Sequence, residues 1–307
     1  MQINQVQYSL RKYLIPKISN HKNLHSFSTN VYKNYCKTLS TLHVLPDFYI
    51  IGGQKCGTTS LYMYLIDHPE IFSPPVKDIR FFDKYFKKGI DWYKMYFPLT
   101  SKKFFVETIL KKKFLTYEAT ERYLDHPHAA TRINKITPNA KFIILLRNPI
   151  DRAYSHYNMI KNRGDEKFKE SLSFEDAILI EEERLKGKFQ KMIDEQEYYS
   201  DTYFRNGYLN RGIYVEKLKR WFSMFDKNQF YIIQSEEFLK NSEKIFQEVL
   251  EFLEISKWSP KEFVQYKKLG NKRKEMKPET RKKLIEFFKP HNEKLYEFLG
   301  RKFDWDK

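Results

Sequence analysis

The sequence predicts one α/β domain: a central parallel sheet with helices on both faces. Three features predict it. Phe48–Ile51 is a short β-prone run that ends in glycines, and from Thr58 onward apolar residues recur at helical spacing. Lys141–Leu146 is a second, clearer apolar run that also stops at turn residues before a helical stretch. The segments between such strands are long enough to cross over a sheet, as parallel neighbours require.

Residues 1–46 read as a basic, partly ordered arm and 47–307 as the domain. The arm carries Arg11, Lys12, Lys17, Lys22, Lys33 and Lys37, with no acidic residue before Asp47. It lacks the continuous apolar stretch of a secretory signal and is expected to be able to lie against an anionic membrane surface. The body opens with the Phe48–Ile51 strand and a tight glycine turn. The helix that follows carries Leu61, Tyr62, Leu65 and Ile66 on one side and stops near His68-Pro69. Phe114–Tyr117 is expected as the second strand, Lys141–Leu146 as the third, and a helix starts near Ile150. Ser173-Phe174-Glu175-Asp176 has the form of a capping box. Tyr214–Phe225 is amphipathic, and Phe230–Ile233 is expected as the last strand. Ser259-Pro260-Lys261-Glu262 is expected to open a helix with proline at its first position. Pro278–Phe288 and Asn292–Leu299 read as two late helices, the second ending at Gly300.

A chain of 307 residues with 41% hydrophobic content, 26 Phe and 22 Tyr buries a full core, which excludes a disordered protein. Its apolar runs are strand-sized and too short to span a bilayer. The net charge of +17 points to an anionic partner: nucleotide, nucleic acid, polysaccharide or lipid. Charge alone does not choose among them. There are two cysteines, Cys36 and Cys56, the latter inside the glycine turn. With no Cys-x-x-Cys and no Cys/His cluster, a reduced, cytoplasmic setting and no metal are expected.

The turn reads Gly52-Gly53-Gln54-Lys55-Cys56-Gly57-Thr58-Thr59-Ser60. A glycine-rich link from strand to helix aims several N–H groups and the positive helix end at one point, where a phosphate-like anion fits. Thr58, Thr59 and Ser60 add hydroxyls, and Lys55 adds a full charge. A phosphate-binding loop of the ATPase kind has its lysine directly after the last glycine. Here Lys55 precedes Gly57 and Thr58 takes the lysine's place, which argues against kinase or ATPase chemistry.

The stretch Leu45–Tyr62 resembles the 5′-phosphosulfate loop of the sulfotransferases that use 3′-phosphoadenosine-5′-phosphosulfate (PAPS), above all the carbohydrate and heparan-sulfate branch with its bacterial relatives. Other segments agree in order. Lys77-Asp78-Ile79-Arg80-Phe81-Phe82-Asp83 with Gly89-Ile90-Asp91-Trp92-Tyr93 and Phe97-Pro98 is similar to a second family segment. Arg147-Asn148-Pro149-Ile150-Asp151-Arg152-Ala153-Tyr154-Ser155 resembles the family's 3′-phosphate motif. The tail, Leu295-Tyr296, Leu299-Gly300-Arg301 and Phe303-Asp304-Trp305, closes in the same way. The resemblance spans about Leu45 to Trp305 and implies the P-loop-like nucleotide-binding fold of that family.

It also implies roles. Gly53, Gln54, Lys55, Cys56, Gly57, Thr58, Thr59 and Ser60 would hold the donor's 5′-phosphosulfate, with Lys55 against the oxygen that leaves sulfur. Arg147 and Ser155 would hold the 3′-phosphate, and Tyr214, Lys272 and Arg273 would complete the donor site. Asp78 stands where the family has a catalytic Glu, and would take the proton of an acceptor hydroxyl. His68 is the rival base but reads as structural at its helix end, and His126 and His128, flanking Pro127, are weaker rivals. Lys77, Arg80, Glu118 and Thr120 would face the acceptor. Ala119 stands where some heparan-type members have lysine, and Glu121 where proline is usual. The implied activity is sulfuryl transfer from PAPS, leaving 3′-phosphoadenosine-5′-phosphate (PAP), to a hydroxyl of a saccharide or glycolipid, with no metal and no nucleic acid. Two other readings of the residues stay open: a P-loop kinase-like enzyme, and a non-enzymatic binder of nucleotides or polyanions.

Overall fold

The computed structural model describes residues 34, 37–264 and 275–305, so most of the arm, together with Lys272 and Arg273, lies outside the described residues. Four parallel strands form one sheet: β1 (Phe48–Ile50), β2 (Tyr117–Ala119), β3 (Lys141–Leu146) and β4 (Phe230–Gln234), in the order β2-β1-β3-β4. Tyr49 lies opposite Glu118 on one side and Phe142 on the other. Successive side chains alternate between the faces, so Tyr49, Phe142 and Ile144 join one apolar cluster while Phe48, Ile50, Ile143 and Leu145 join a second. Both faces are covered, which is why these strands read as unbroken apolar runs.

The helices that position the site are α1 (Thr58–Leu65), α2 (Ala129–Ile136), α3 (Pro149–Lys161), α4 (Val215–Phe222), α5 (Ser235–Lys240), α6 (Ser242–Phe252) and α7 (Pro278–Leu299). Ile133 of α2, Leu218 and Trp221 of α4 and Leu295 of α7 pack on the Phe142 face. Leu61 and Leu65 of α1, Phe238 of α5 and Phe246 and Leu250 of α6 pack on the Ile143 face. Phe142 alone has the rings of Phe225 at 4.5 Å, Phe230 at 5.1 Å and Trp221 at 5.2 Å, an aromatic core that offset and tilted contacts favour. α3 begins at a cap of the expected kind: Asn148 Oδ1 accepts from the Ile150 N–H at 2.9 Å, with Pro149 at the first helical position. Ser173 caps Phe174–Leu179, its Oγ accepting from the Asp176 N–H at 3.2 Å.

Three expectations are corrected. The second strand starts at Tyr117 rather than Phe114, because Phe114 stacks on Phe72 at 4.2 Å and the Thr116 N–H is taken by Asp47 Oδ2 at 2.7 Å. The two late helices are one, α7, which runs through Pro290; buried Leu284, Phe288, Asn292 and Leu295 along one side hold it together where proline removes a backbone bond. No helix opens at Ser259. The Gln247 amide holds the Trp258 carbonyl at 2.8 Å and Ser259 Oγ at 3.1 Å, and the Phe263 ring packs against Tyr64 at 5.0 Å, so tertiary contacts fix an irregular path there. The last described residues of the arm pack on the body: Ser40 Oγ donates to Asp91 Oδ1 at 2.5 Å and His43 Nδ1 meets the Phe97 carbonyl at 2.6 Å.

Candidate active site

All four strands deliver the chain to one edge of the sheet. Gly52 follows β1, Thr120 follows β2, Arg147 follows β3 and Ser235 follows β4. The chain leaves β1 for β2 on one side and returns to β3 on the other, so the crevice at the carboxyl end of β1 is where ligands bind in open α/β sheets. The turn after β1 stays on the ladder: the Ile51 N–H donates to Ile143 O at 3.1 Å and the Gly53 N–H to Leu145 O at 2.9 Å. A Cβ on Gly52 would sit 2.3 Å from the Leu145 nitrogen, so only glycine lets the turn lie this close to β3. Lys55 and Gly57 both take left-handed backbone angles, φ 71° and 94°, which swing the chain into α1. The N–H groups of Thr58 and Thr59 open α1 ahead of its first backbone bonds, which run from Ser60 at 3.0 Å and Leu61 at 3.3 Å to Gly57 O, and no acidic residue stands in this turn.

The turn is held from beneath. Arg147 Nη1 donates to the Lys55 carbonyl at 3.2 Å, Ser235 Oγ to the Cys56 carbonyl at 2.6 Å, and the Tyr214 hydroxyl to the Arg147 carbonyl at 2.8 Å. Gln54 points inward, its amide oxygen accepting from Arg211 Nη1 at 2.5 Å. Arg211 in turn clasps Asp125, with both Nε and Nη2 at 2.8 Å, and Lys217 Nζ completes a buried triad at 3.0 Å from the same carboxylate. Burial alone would raise the Asp125 pKa, but the two cations hold it below the ordinary range. Next to this triad lie Arg152 and His156, both fully buried on α3. Burial, then Arg211, Arg152, Arg122 and Lys55 together, hold the His156 pKa far below the usual histidine value. The Cys56 thiol is 1% exposed and pushed up to about 11, chiefly by burial, so it is a packing group and not a nucleophile.

Facing the turn is a carboxylate pair. Asp78 has φ 60°, and its N–H is bonded to Ala119 O at 3.0 Å, at the end of β2. Left-handed angles suit Asp better than Glu, which accounts for the shorter acid at this position. Lys77 Nζ lies 3.3 Å from Asp78 Oδ1 and 4.0 Å from Glu121 Oε2, bridging the two acids. Glu121 also accepts from the Gln54 amide at 3.4 Å, which links the acids to the turn. The Asp78 side chain is 39% accessible at the opening, yet its pKa is pushed up to about 7 by desolvation first and by Glu121 second. Glu121 moves the other way: Lys77, Asp78, Arg122 and Arg211 outweigh its burial and keep it ionised.

The sulfotransferase domain model matches residues 45–275, which is most of the chain. The chain belongs to the sulfotransferase family. It is 28% identical over 85% of its length to the membrane-associated sulfotransferase kil1 of Dictyostelium discoideum, and 26% identical over 84% of its length to the bifunctional heparan sulfate N-deacetylase/N-sulfotransferase 1 of Caenorhabditis briggsae. The chain spans about 66% of the first relative and about 30% of the second. Among solved structures, a sulfotransferase from Alicyclobacillus acidocaldarius matches over 86% of this chain and 100% of its own, with 27% identity and a TM-score of 0.66.

In this sulfotransferase the expected donor residues Gly53 to Ser60 and Arg147 gather at one edge, and Ser155 lies buried in α3, which follows Arg147. The side chains of Gln54, Cys56 and Tyr214 turn inward and support the turn. Glu118 and Thr120, expected to face the acceptor, lie beneath the surface of the opening. Both are 1% exposed, and Glu118 is enclosed by hydroxyls of Tyr93 at 2.5 Å, Tyr123 at 2.6 Å and Thr120 at 2.7 Å. Burial raises Glu118 to about 7 even against those three donors, which marks it as a structural floor. Arg80 is spent on Asp83 at 2.9 Å and lies over the Tyr199 ring, leaving Lys77 as the expected acceptor residue beside Asp78. His68 uses both ring nitrogens, on Ser256 O at 3.0 Å and the Glu70 N–H at 3.1 Å, so it is no rival base. Sequence reasoning missed Arg211, Asp125, Lys217 and Ser235. Their signal is indistinct in the sequence: Asp125 and Arg211 lie at short turns, Lys217 shares its helix with Glu216, Lys219 and Arg220, and Ser235 opens a helix beside two glutamates.

Proposed function

We propose that this sulfotransferase uses PAPS as its donor and transfers the sulfuryl group to a hydroxyl of a saccharide or glycolipid, releasing PAP. The carrying observation is the Gly52 turn pressed on β3, with Arg147 fixed to the Lys55 carbonyl at 3.2 Å. The donor supplies a sulfuryl group on a phosphate leaving group; the chain supplies placement, positive charge and a base. Lys55 and the first-turn N–H groups of α1 bind the phosphosulfate end, and Arg147 with Ser155 binds the 3′-phosphate. Lys55 offsets the charge that grows on the phosphate oxygen as its bond to sulfur breaks. Asp78 accepts the proton of the acceptor hydroxyl as oxygen attacks sulfur, and Lys77 orients that hydroxyl. A saccharide acceptor is supported by the heparan sulfate enzymes among the relatives. Peripheral membrane contact through the basic arm is a further part of the proposal, supported by the name of the Dictyostelium relative. The free thiol of Cys56 supports a cytoplasmic setting.

Calorimetric titration with PAP, ATP and AMP tests the donor. Tight binding of PAP alone is expected; equal binding of ATP or AMP would remove the 3′-phosphate site from the reading.

A further inference from the structure

Behind the sheet, at the edge opposite the Gly52 turn, the chain exposes a group of large apolar side chains. Phe104 is 61% exposed, Phe105 51%, Ile109 60% and Leu110 48%, and Leu42 and Leu99 are 52% and 44%. Their two segments adjoin: the Thr100 N–H donates to Leu42 O at 2.7 Å, and His43 pairs with Leu99 as an antiparallel bridge. Scattered exposed apolar residues are ordinary, but six from two neighbouring segments form a patch of the kind that marks an interaction site. The backbone here is unusual. Thr100–Phe104 is helical and Phe105–Ile109 is a π-helical turn, with the Leu110 N–H bonded to Phe105 O. Only Val106 of that turn is buried, so the turn anchors through one residue and turns its other large side chains out.

The charges around the patch say what it meets. Lys102, Lys111 and Lys112 are exposed, and none of the ion pairs among the described residues uses them. Lys103 and Lys113, by contrast, are matched by Asp47 at 3.7 Å and Glu254 at 3.8 Å. Lys102 lies over the Phe72 ring at 4.5 Å but, like Lys111 and Lys112, has no carboxylate partner among the described residues, and aromatic and aliphatic groups rimmed by such lysines are complementary to a bilayer interface that carries anionic headgroups. A second protein surface would need shape complementarity to a short convex turn, whereas a fluid interface takes phenylalanines without it.

We propose that the Leu99–Lys112 segment, with Leu42, is a docking surface for anionic membranes. Phe104, Phe105 and Ile109 enter the headgroup–acyl boundary, and Lys102, Lys111 and Lys112 engage the headgroups. Asp47, next to this segment, precedes β1, while the Gly52 turn follows it, so docking leaves the candidate active site facing away from the bilayer. Apart from Leu42 this surface lies outside the basic arm, and a site that faces away from the bilayer suits a saccharide acceptor better than a glycolipid of the same membrane.

The test is co-sedimentation of the full chain with phosphatidylcholine vesicles, with and without phosphatidylserine. The unaltered protein is expected to bind the phosphatidylserine vesicles, and binding should fall about tenfold in Phe104→Ser/Phe105→Ser/Ile109→Ser and again in Lys102→Glu/Lys111→Glu/Lys112→Glu. PAP affinity, measured alongside, should not change. Retained binding in both patch variants, with loss only in Arg11→Glu/Lys12→Glu/Lys17→Glu, assigns the membrane contact to the arm and overturns the proposal. So does an unaltered protein that ignores phosphatidylserine, or one that self-associates until the patch is made polar, which assigns the face to a second copy. A polarity-sensitive fluorophore on Thr108→Cys gives a reading that keeps every patch residue: a blue shift on phosphatidylserine vesicles supports the proposal, and an unshifted spectrum overturns it.

Discussion

The Gln54 amide oxygen accepts a 2.5 Å hydrogen bond from Arg211 Nη1, which fastens the anion-binding turn to a buried ion cluster beneath it. The other two nitrogens of that guanidinium are on Asp125, and Gln54's own amide nitrogen reaches Glu121, the acid beside Asp78. Donor turn, interior charge and candidate base are therefore one connected network. For the proposed donor role its worth would be preorganisation: the N–H groups of the turn would be in place before an anion arrived, so that binding needed no reorganisation.

Removing Asp125 should show how much of the fold rests on that network. In Asp125→Ala, Arg211 and Lys217 are left buried without their counter-charge, an arrangement that costs about 3–5 kcal/mol. Urea denaturation at neutral pH should show a loss of that size. The folded pKa of Asp125 is depressed, so its contribution is present above its unfolded value and disappears as pH falls through the folded one. The two proteins should converge in stability in strong acid. A loss well under 1 kcal/mol at neutral pH would contradict this account.

Gly52→Ala tests the closeness of the turn to β3. The new Cβ would meet the Leu145 nitrogen at 2.3 Å and its carbonyl oxygen at 2.8 Å, both backbone atoms in the middle of the sheet. The turn has to lift away, at an overpacking cost of about 1–3 kcal/mol. PAP affinity should fall at least about tenfold, since a displacement of that kind spoils an aligned anion site. Unchanged affinity would mean that the turn does not hold the nucleotide.

Lys55 carries both a charge and a left-handed backbone angle, and one substitution separates them. Lys55→Gly accepts φ 71° without strain, so the melting temperature should hold or rise. Its kcat should drop by about 10²–10³, the usual effect of removing one group that stabilises developing charge. Nucleotide affinity should change far less than kcat. A loss confined to affinity would place Lys55 in ground-state binding instead.

The sequence made the sheet legible because β1 and β3 are buried on both faces and end in glycine or Asn-Pro. The placement of Asp78, Lys55 and Arg147 around one sheet edge was legible for a different reason: each sits in a turn next to a strand, where a local pattern fixes position. Arg211 and Lys217 were not, because a charged residue in a helix normally faces solvent, and only the approach of Asp125 from about ninety positions away makes their burial possible. Glu118 misled for the converse reason. A carboxylate at a strand's end looks available, and nothing local announces that Tyr93 and Tyr123 fold over it.

Asp78 makes the sharpest prediction, because its activity and its stability should move in opposite directions. Desolvation and Glu121 raise its pKa to about 7, so the base is half protonated near neutrality, and kcat should climb through that pH and level off above it. Asp78→Asn fits the same left-handed backbone and should retain PAP binding, while kcat falls by about 10²–10⁴ and the neutral-pH limb of the profile vanishes. The stability sign follows from the direction of the shift. A carboxyl whose folded pKa is raised favours the fold when protonated, and that advantage is fully present below its unfolded value and lost as pH rises through about 7. Above pH 7 the native protein therefore holds a disfavoured charge that the amide variant lacks. Thermal melts at pH 8 should show Asp78→Asn at least as stable as the unaltered protein, with the difference shrinking as pH is lowered. A variant that is less stable at pH 8, or that keeps the unaltered kcat profile, would mean that Asp78 is an ion-pair partner of Lys77 and the base lies elsewhere.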